Sequence, residues 1–453
     1  MRRLLTLVLL SSLLAFAAVL TPTSSDATER HVPTVAKQVT TSVSSTKILR
    51  LPEGAQYVAA YWRGNPQARV TLAFSHDGTH FDAPLDAARD EVGLQRRNGT
   101  TYGAIHAARG ALAVRVVTDR PLATVTILGM SDGAVTTQGT MAGQAAQAAT
   151  TQPQVVSRAG WGADPQYMTW APAFYLTKKL IVHHTDTTND YVDQAGAESQ
   201  IRSIYYYHSV TQGWGDIGYN FLIDKFGNVY EGRYSRDYGG ANPSGDDASG
   251  KGVTGAHTLG WNSGTVGIAL LGTFTGQDVT PAARQALESM LAWEASRNGI
   301  NPQATEPFVN PVSGATITSA NIAGHRDYNA TACPGDTFYL TLPTIRADVA
   351  ARITGSSPDT TPPTTPGSLL ANGGKGLVSL NWAPSTDNTA VTGYQIWRSR
   401  SASTGFTQVA TVKDTLYVDG SLARRTTYYY KARAYDAAAN LSAFSDLASA
   451  RTS

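Results

Sequence analysis

The sequence predicts a multidomain protein in which a central α/β domain, a mixed sheet with flanking helices, lies between an N-terminal all-β domain and a C-terminal Ig-like β-sandwich. The chain has 453 residues, more than one hydrophobic core normally spans. Two stretches of biased composition, 134–153 and 356–366, divide it into three blocks. Apolar residues alternate in the first and third blocks, whereas the middle block also contains stretches with helical spacing.

Residues 1–27 are expected to be a signal peptide. Arg2 and Arg3 precede an apolar run from Leu4 to Leu20, and small and polar residues follow. An uncleaved membrane anchor would need about 20 apolar residues. This run is shorter and contains two serines, and no later stretch is long and apolar enough to span a bilayer. We therefore expect a secreted, extracellular protein with no membrane partner after cleavage.

The first block, residues 46–133, contains short alternating apolar runs separated by turns, such as 57–62 and 70–74. This pattern predicts an all-β accessory domain, a small sandwich. The stretch 134–153 consists mostly of Ala, Gly, Gln and Thr, so it is expected to be a flexible linker.

The middle block, residues 154–355, alternates predicted strands and helices. Continuous apolar runs predict buried strands at 179–185 and 265–274. Thr280 as N-cap and Gly299 as terminator predict the two ends of a helix, with proline at its first position. These elements are typical of an α/β domain of about 200 residues.

The last block, residues 367–453, follows a Pro/Thr linker at 356–366 that is expected to be extended. Trp382 on an early predicted strand and Tyr428 at the start of a late one are typical of an Ig-like sandwich. The block resembles a fibronectin type III module, which implies the fold and a spacing or polymer-binding role.

The residues with metal-binding side chains are concentrated in the middle block. Five of the nine histidines lie between positions 183 and 325, and Cys333, the only cysteine, follows eight residues later. His183 and His325 each follow an apolar strand-like run, and the ends of such strands meet at one edge of an α/β sheet. Two imidazoles and one thiolate, with a fourth position open to water, match a catalytic zinc site, although ligand type alone leaves copper and iron open. His208 and His257 are interpreted as structural, because an isolated histidine is more often a core or surface residue than a ligand.

Several short motifs appear in order through the middle block. They are Arg158-Ala-Gly-Trp161, Ile181-Val-His-His-Thr185, Asp216-Ile-Gly-Tyr-Asn-Phe221, Tyr230-Glu-Gly-Arg233, Gly255-Ala-His257, Asn262, Gly267-Ile268, Gly324-His-Arg326 and Cys333-Pro-Gly335. Each fragment is weak alone, but the ordered set resembles the family of peptidoglycan recognition proteins and type 2 N-acetylmuramoyl-L-alanine amidases. The resemblance covers about 154–353, under half of the chain.

The resemblance implies that His183, His325 and Cys333 are ligands of Zn²⁺. It also implies that Tyr219 lies near the metal, where its hydroxyl can donate a hydrogen bond to the developing oxyanion. Thr331 stands where phage-type relatives carry lysine and many animal enzymes threonine. A threonine hydroxyl has no tuned pKa for proton transfer, so the proton donor to the leaving amine stays open.

The resemblance further implies three substrate-binding residues. Gly213 and Trp214 match a Gly-Trp pair that accompanies diaminopimelate-type peptidoglycan. Arg233 is placed like the family's arginine that binds the extra carboxylate of diaminopimelate, a group that lysine lacks. A guanidinium can bind a carboxylate through two parallel hydrogen bonds. The alternative is that Arg233 makes a surface ion pair.

The expected function is a secreted, cell-wall-associated amidase with peptidoglycan as its partner. The alternative is a non-catalytic peptidoglycan-binding protein, although such members lose the thiolate ligand or the tyrosine. An unrelated zinc peptidase is disfavoured because the chain has no His-Glu-x-x-His helix. Nucleic acid is not an expected partner, since without residues 1–27 the chain has 34 basic and 33 acidic residues.

Overall fold

A computed structural model describes residues 32–65, 67–87, 99–133, 151–355, 361–388, 390–436 and 440–453. The predicted signal peptide and most of the first predicted linker lie outside the described residues. Within the described part of the chain, no helix is both long and apolar enough to cross a membrane.

The N-terminal part consists of two four-stranded antiparallel sheets that pack face to face. The strands are β1 (Thr34–Val43), β2 (Thr46–Arg50), β3 (Tyr57–Gly64), β4 (Val70–Ser75), β5 (Leu85–Asp86), β6 (Thr100–Ala107), β7 (Ala113–Thr118) and β8 (Leu122–Asp132). The first sheet has the order β1-β8-β3-β6 and the second β2-β7-β4-β5. Side chains such as Trp62 and Ile127 from the first sheet and Leu72 and Val116 from the second form their shared core.

Strand β1 begins at Thr34, before the predicted start of this block at residue 46, and pairs with β8. Only Thr34 and Val43 of its ten residues are buried. A strand with so few buried side chains has too weak an apolar alternation to be found from the sequence.

The central part is an α/β domain, as predicted. Its strands are β9 (Val155–Val156), β10 (Phe174–Tyr175), β11 (Lys179–His184), β12 (Phe221–Ile223), β13 (Val229–Glu231), β14 (Gly252–Val253), β15 (Thr265–Leu270), β16 (Thr305–Val309), β17 (Thr316–Ala320) and β18 (Ile322–Gly324). Its helices are α1 (Gln194–Tyr206), α2 (Pro281–Asn298), α3 (Asp336–Tyr339) and α4 (Leu342–Thr354). Six strands form a mixed sheet in the order β18-β11-β15-β12-β13-β9, in which β11 runs parallel to both of its neighbours.

The ends of α2 follow the predicted capping chemistry. The Thr280 side chain accepts a hydrogen bond from the Ala283 backbone, and Gly299 adopts the left-handed conformation with φ 63°. Helices α2 and α4 cover one face of the central sheet with residues such as Leu287, Leu291 and Ile345. Helix α1 covers the other face.

Helix α1 is buried on two sides because the N-terminal sheet packs on its outer surface. Ile201 and Tyr205 share one apolar cluster with Ile105 and Met130 of the N-terminal part. The Tyr57 hydroxyl donates a hydrogen bond to the Gly196 carbonyl at 3.3 Å. The N-terminal and central parts therefore share a continuous core.

A buried ion pair also joins the two parts. Arg202 of α1 donates two hydrogen bonds to the Asp132 carboxylate, at 2.8 and 2.7 Å.

Removing one partner of such a buried ion pair typically costs about 3–5 kcal/mol. Because Glu198 lies 3.9 Å from Arg202 and compensates part of its charge, we expect Asp132→Ala to lower the free energy of unfolding by about 3 kcal/mol in urea titrations. Asp82→Ala, which removes an exposed partner of His76, is the control and should hardly change the free energy of unfolding. Equal effects of the two variants would contradict a stabilising role of the Arg202–Asp132 ion pair.

The C-terminal part consists of a three-stranded sheet, β19-β20-β23, and a four-stranded sheet, β22-β21-β24-β25. The strands are β19 (Gly367–Gly374), β20 (Leu377–Ala383), β21 (Val391–Ser399), β22 (Thr407–Val412), β23 (Leu416–Asp419), β24 (Thr427–Asp436) and β25 (Ala448–Arg451). Trp382 packs edge-on against Tyr394 in the core between the sheets. The Tyr428 hydroxyl accepts a hydrogen bond from the Ala423 backbone at 3.1 Å.

Candidate metal centre

The positions of His183 and His325 follow from the register of two parallel strands. Val182 in β11 pairs with Gly324 in β18. His183, the next residue in β11, and His325, the residue that follows β18, therefore lie side by side at the carboxyl edge of the sheet. Their ring centroids are 4.6 Å apart, and both side chains are buried.

Cys333 reaches the same point from the loop after His325. Its Sγ lies 3.6 Å from His183 Nδ1, and the His184 backbone N–H donates to the sulfur at 3.4 Å. One donor atom from each of His183, His325 and Cys333 lies within 4.8 Å of the other two. The structure thus brings the three predicted metal ligands together.

The Cys333 loop depends on a glycine. Gly335 has φ 98°, and a Cβ there would lie 2.3 Å from the backbone of Phe274. No other residue type fits this close approach. The Thr331 hydroxyl accepts a hydrogen bond from the Cys333 N–H at 3.1 Å, so Thr331 supports the loop that carries the thiol.

His257, interpreted from the sequence as structural, contacts a predicted ligand directly. Its Nδ1 lies 3.0 Å from His183 Nε2. When His183 donates this hydrogen bond through Nε2, its lone pair is placed on Nδ1, the nitrogen that faces the sulfur. His325 is oriented in the same way, because its Nε2 hydrogen-bonds to the Asn329 side-chain oxygen at 3.1 Å.

The His257 ring fits only because its neighbours are glycines. A Cβ at Gly267 would lie 2.4 Å from the ring, and one at Gly255 would lie 2.5 Å from it. Both glycines belong to the motifs Gly255-Ala-His257 and Gly267-Ile268. Two glycines placed around one histidine are the signal that could have identified His257 as part of the site.

Burial keeps the imidazoles of His183 and His257 neutral. The pKa of His183 is held well below its usual value by burial and by the neighbouring histidines. Burial lowers the pKa of His257 to about 3, and His325 and Arg233 contribute. A metal-binding imidazole must carry a free lone pair, so this environment suits ligation at neutral pH.

Tyr219 lies beside the three predicted ligands. It is buried, and its ring centroid is 5.5 Å from that of His183. His208, also interpreted as structural, accepts a hydrogen bond at Nδ1 from the Gly218 N–H at 3.2 Å. This contact fixes the backbone directly before Tyr219, so His208 positions the tyrosine.

The predicted substrate-binding residues occupy the far side of His208. Gly213 has φ 70° and precedes Trp214, whose ring centroid is 4.5 Å from that of His208. The Arg233 guanidinium stacks on Trp170 at 3.7 Å. Its positive charge contributes to the lowered pKa of His208, so it lies close to that ring.

Arg233 is buried, so the alternative of a surface ion pair is wrong. The side chain donates to the Ile217 carbonyl at 3.2 Å, and burial lowers its pKa to about 10, which leaves it positively charged at neutral pH. Its Nε has no hydrogen-bond partner among the described residues. A buried, charged group with a remaining donor is suited to an anionic ligand.

Comparison with known proteins identifies the family. The family described as N-acetylmuramoyl-L-alanine amidase matches residues 175–336. Peptidoglycan-recognition protein SC2 of Drosophila simulans is 33% identical over 181 residues, which make up 40% of this chain and 80% of that protein. The chain belongs to this family of peptidoglycan-recognition proteins and amidases.

Proteins with different names are also similar to part of this chain. The N-acetylmuramoyl-L-alanine amidase of Homo sapiens is 34% identical over 194 residues, 42% of this chain but only 28% of that protein. Among solved structures, Drosophila peptidoglycan recognition protein SD is 26% identical, with a TM-score of 0.32, and the match covers 42% of this chain and 92% of that one.

Proposed function

We propose that this protein is a secreted, zinc-dependent N-acetylmuramoyl-L-alanine amidase that hydrolyses the amide between N-acetylmuramic acid and L-alanine in peptidoglycan. The observation that carries the proposal is the cluster of His183, His325 and Cys333, with donor atoms within 4.8 Å of one another, next to Tyr219. Proteins named as peptidoglycan recognition proteins and proteins named as amidases both match this chain. The choice between the two functions is therefore based on the residues of the site.

The donor set fits zinc. Two neutral imidazoles and a thiolate are ligands that zinc prefers, and structural zinc sites usually have four protein ligands whereas catalytic sites have three. Among the described residues, the cluster offers three. Zinc bound there would supply Lewis-acid activation of water and of the scissile carbonyl.

The protein's own residues have separate tasks in this proposal. His257 and Asn329 orient the two histidine ligands through hydrogen bonds. The His184 N–H donates to the Cys333 sulfur and orients it. Tyr219 donates a hydrogen bond to the oxygen of the scissile carbonyl as negative charge develops on it.

The experiment that tests the proposal is mass analysis of peptidoglycan treated with the purified full-length protein. The expected products are peptides with a free L-alanine amino terminus beside an intact glycan, and a chelator should stop their release. Binding to peptidoglycan without any cleavage, by protein that contains one zinc, would instead favour the recognition protein.

The two flanking parts are proposed to be accessory domains. We assign residues 32–133 to an all-β accessory domain and residues 367–453 to a fibronectin type III-like domain. The two-sheet arrangement and the contacts of Trp382 and Tyr428 support the second assignment. Attachment to the cell wall through such a domain would raise the local concentration of substrate.

Diaminopimelate-type stems are expected to be cleaved faster than lysine-type stems. The proposed reason is that Arg233 binds the carboxylate which lysine lacks. Hydrogen bonds to charged groups contribute about 1.5–3 kcal/mol, so Arg233→Ala should reduce the preference by about 10–100-fold and spare lysine stems. Rates on matched soluble muropeptides measure this preference. Arg236→Ala, which removes a partner of Asp246, should keep it, and equal rates of the unmutated enzyme on both stems would contradict the prediction.

A further inference from the structure

Strand β6 of the N-terminal part lies beside the metal-ligand cluster. Ala104 and Ile105 line one small cavity together with residues of the central domain. The central residues are His184, Thr185, Asp186, Ile204, Tyr207, His208, Tyr219 and Cys333. A segment about 80 residues before His184 in the sequence therefore faces the same space as a predicted ligand and the predicted oxyanion donor.

The cavity has a volume of about 20 Å³. A single water molecule needs about 10–15 Å³ by the same measure, so the space suits one water molecule or one methyl group. Ala104, Ile105 and Ile204 make part of its wall apolar. An apolar wall of this size favours a small aliphatic group over a polar or larger one.

The β6 wall, defined as Ala104 and Ile105, is held firmly in place. The Tyr207 hydroxyl donates to the Gly103 carbonyl at 2.8 Å, directly before Ala104. Ile105 is buried in the apolar cluster that the N-terminal part shares with α1. The paired hydrogen bonds between Arg202 and Asp132 join the same two parts. The wall is thus a permanent side of the cavity.

We propose that the β6 wall determines specificity by selecting a methyl-sized side chain on the first residue of the peptide stem. This inference rests on the proposed amidase function, in which that residue is L-alanine. Its side chain is a methyl group two bonds away from the scissile nitrogen. With the methyl group in this cavity, a leucine side chain at the same position would need more space than about 20 Å³.

The test compares two synthetic substrates, N-acetylmuramoyl-L-alanyl and N-acetylmuramoyl-L-leucyl peptides with the same remaining stem. The full-length enzyme should prefer alanine. Ile105→Ala should shift the ratio of kcat/KM values toward leucine by about 10-fold or more, since small changes in pocket volume alter discrimination by about 10–200-fold. Ala104→Val should shift it the other way. The ratio does not depend on the folded fraction, so partial unfolding of a variant does not disturb it.

Leu128→Ala is the matched control. Leu128 belongs to the same sheet and the same apolar cluster but does not line the cavity, so the ratio should stay unchanged in this variant. The proposed role of the β6 wall in specificity would be overturned if the unmutated enzyme showed no preference for alanine. It would also be overturned if neither wall variant changed the ratio of the kcat/KM values. Failure of the unmutated enzyme to hydrolyse either substrate would instead overturn the proposed function.

Discussion

Cys333→Ala is expected to lose the metal and the hydrolytic activity together. The sulfur lies 3.6 Å from His183 Nδ1, and without it the cluster keeps only two imidazole donors. Hydrogen-bond partners of metal ligands are worth about 10–100-fold in metal affinity. We expect the loss of a ligand itself to cost more than about 100-fold, so that the zinc content falls from about one per chain to near zero.

Elemental analysis and muropeptide release measure the two effects of this substitution. Cys333→Ser preserves the shape of the side chain and should lose zinc as well, which separates ligation from packing. Phe338→Leu, a change of the buried side chain in helix α3, which follows the loop, should reduce stability but keep the zinc. A Cys333→Ala protein with full activity would rule out the metal centre described here.

Tyr219→Phe is expected to keep the zinc and lose about 10²–10³-fold in kcat, the usual effect of removing one donor to an oxyanion. The tyrosine is buried next to His183 and lines the cavity that Cys333 also lines. The substitution removes only the hydroxyl, so the ring should keep its packing. The metal content should not change, because the hydroxyl is not one of the predicted ligands.

Steady-state kinetics on a soluble muropeptide distinguish the role of the Tyr219 hydroxyl. Tyr205→Phe is the control, since its hydroxyl donates to the Asp164 carbonyl at 3.0 Å within the core. This control should lose about 1 kcal/mol of stability with little change in kcat. A Tyr219→Phe effect confined to KM would assign the hydroxyl to substrate binding instead of catalysis.

The sequence alone determined the local elements and the choice of candidate ligand residues. The strand that contains His183 and the capped helix α2 are encoded by neighbouring residues, through apolar periodicity and capping chemistry. Parallel strands place the residues after their carboxyl ends at one edge of the sheet, so the proximity of His183 and His325 followed from the pattern.

Only the tertiary structure decided the surroundings of the ligands. The contact between His183 and His257 joins residues 74 positions apart, and the hydrogen bond from Tyr207 to Gly103 spans 104. Such contacts depend on how whole elements pack. The local periodicity of an element indicates which of its faces is apolar, but not which other element packs against that face. The contact of the N-terminal sheet with the outer side of α1 is another example, since it joins distant parts of the chain. The burial of Arg233 against Trp170 likewise arises from packing between distant segments, which no spacing in the sequence expresses.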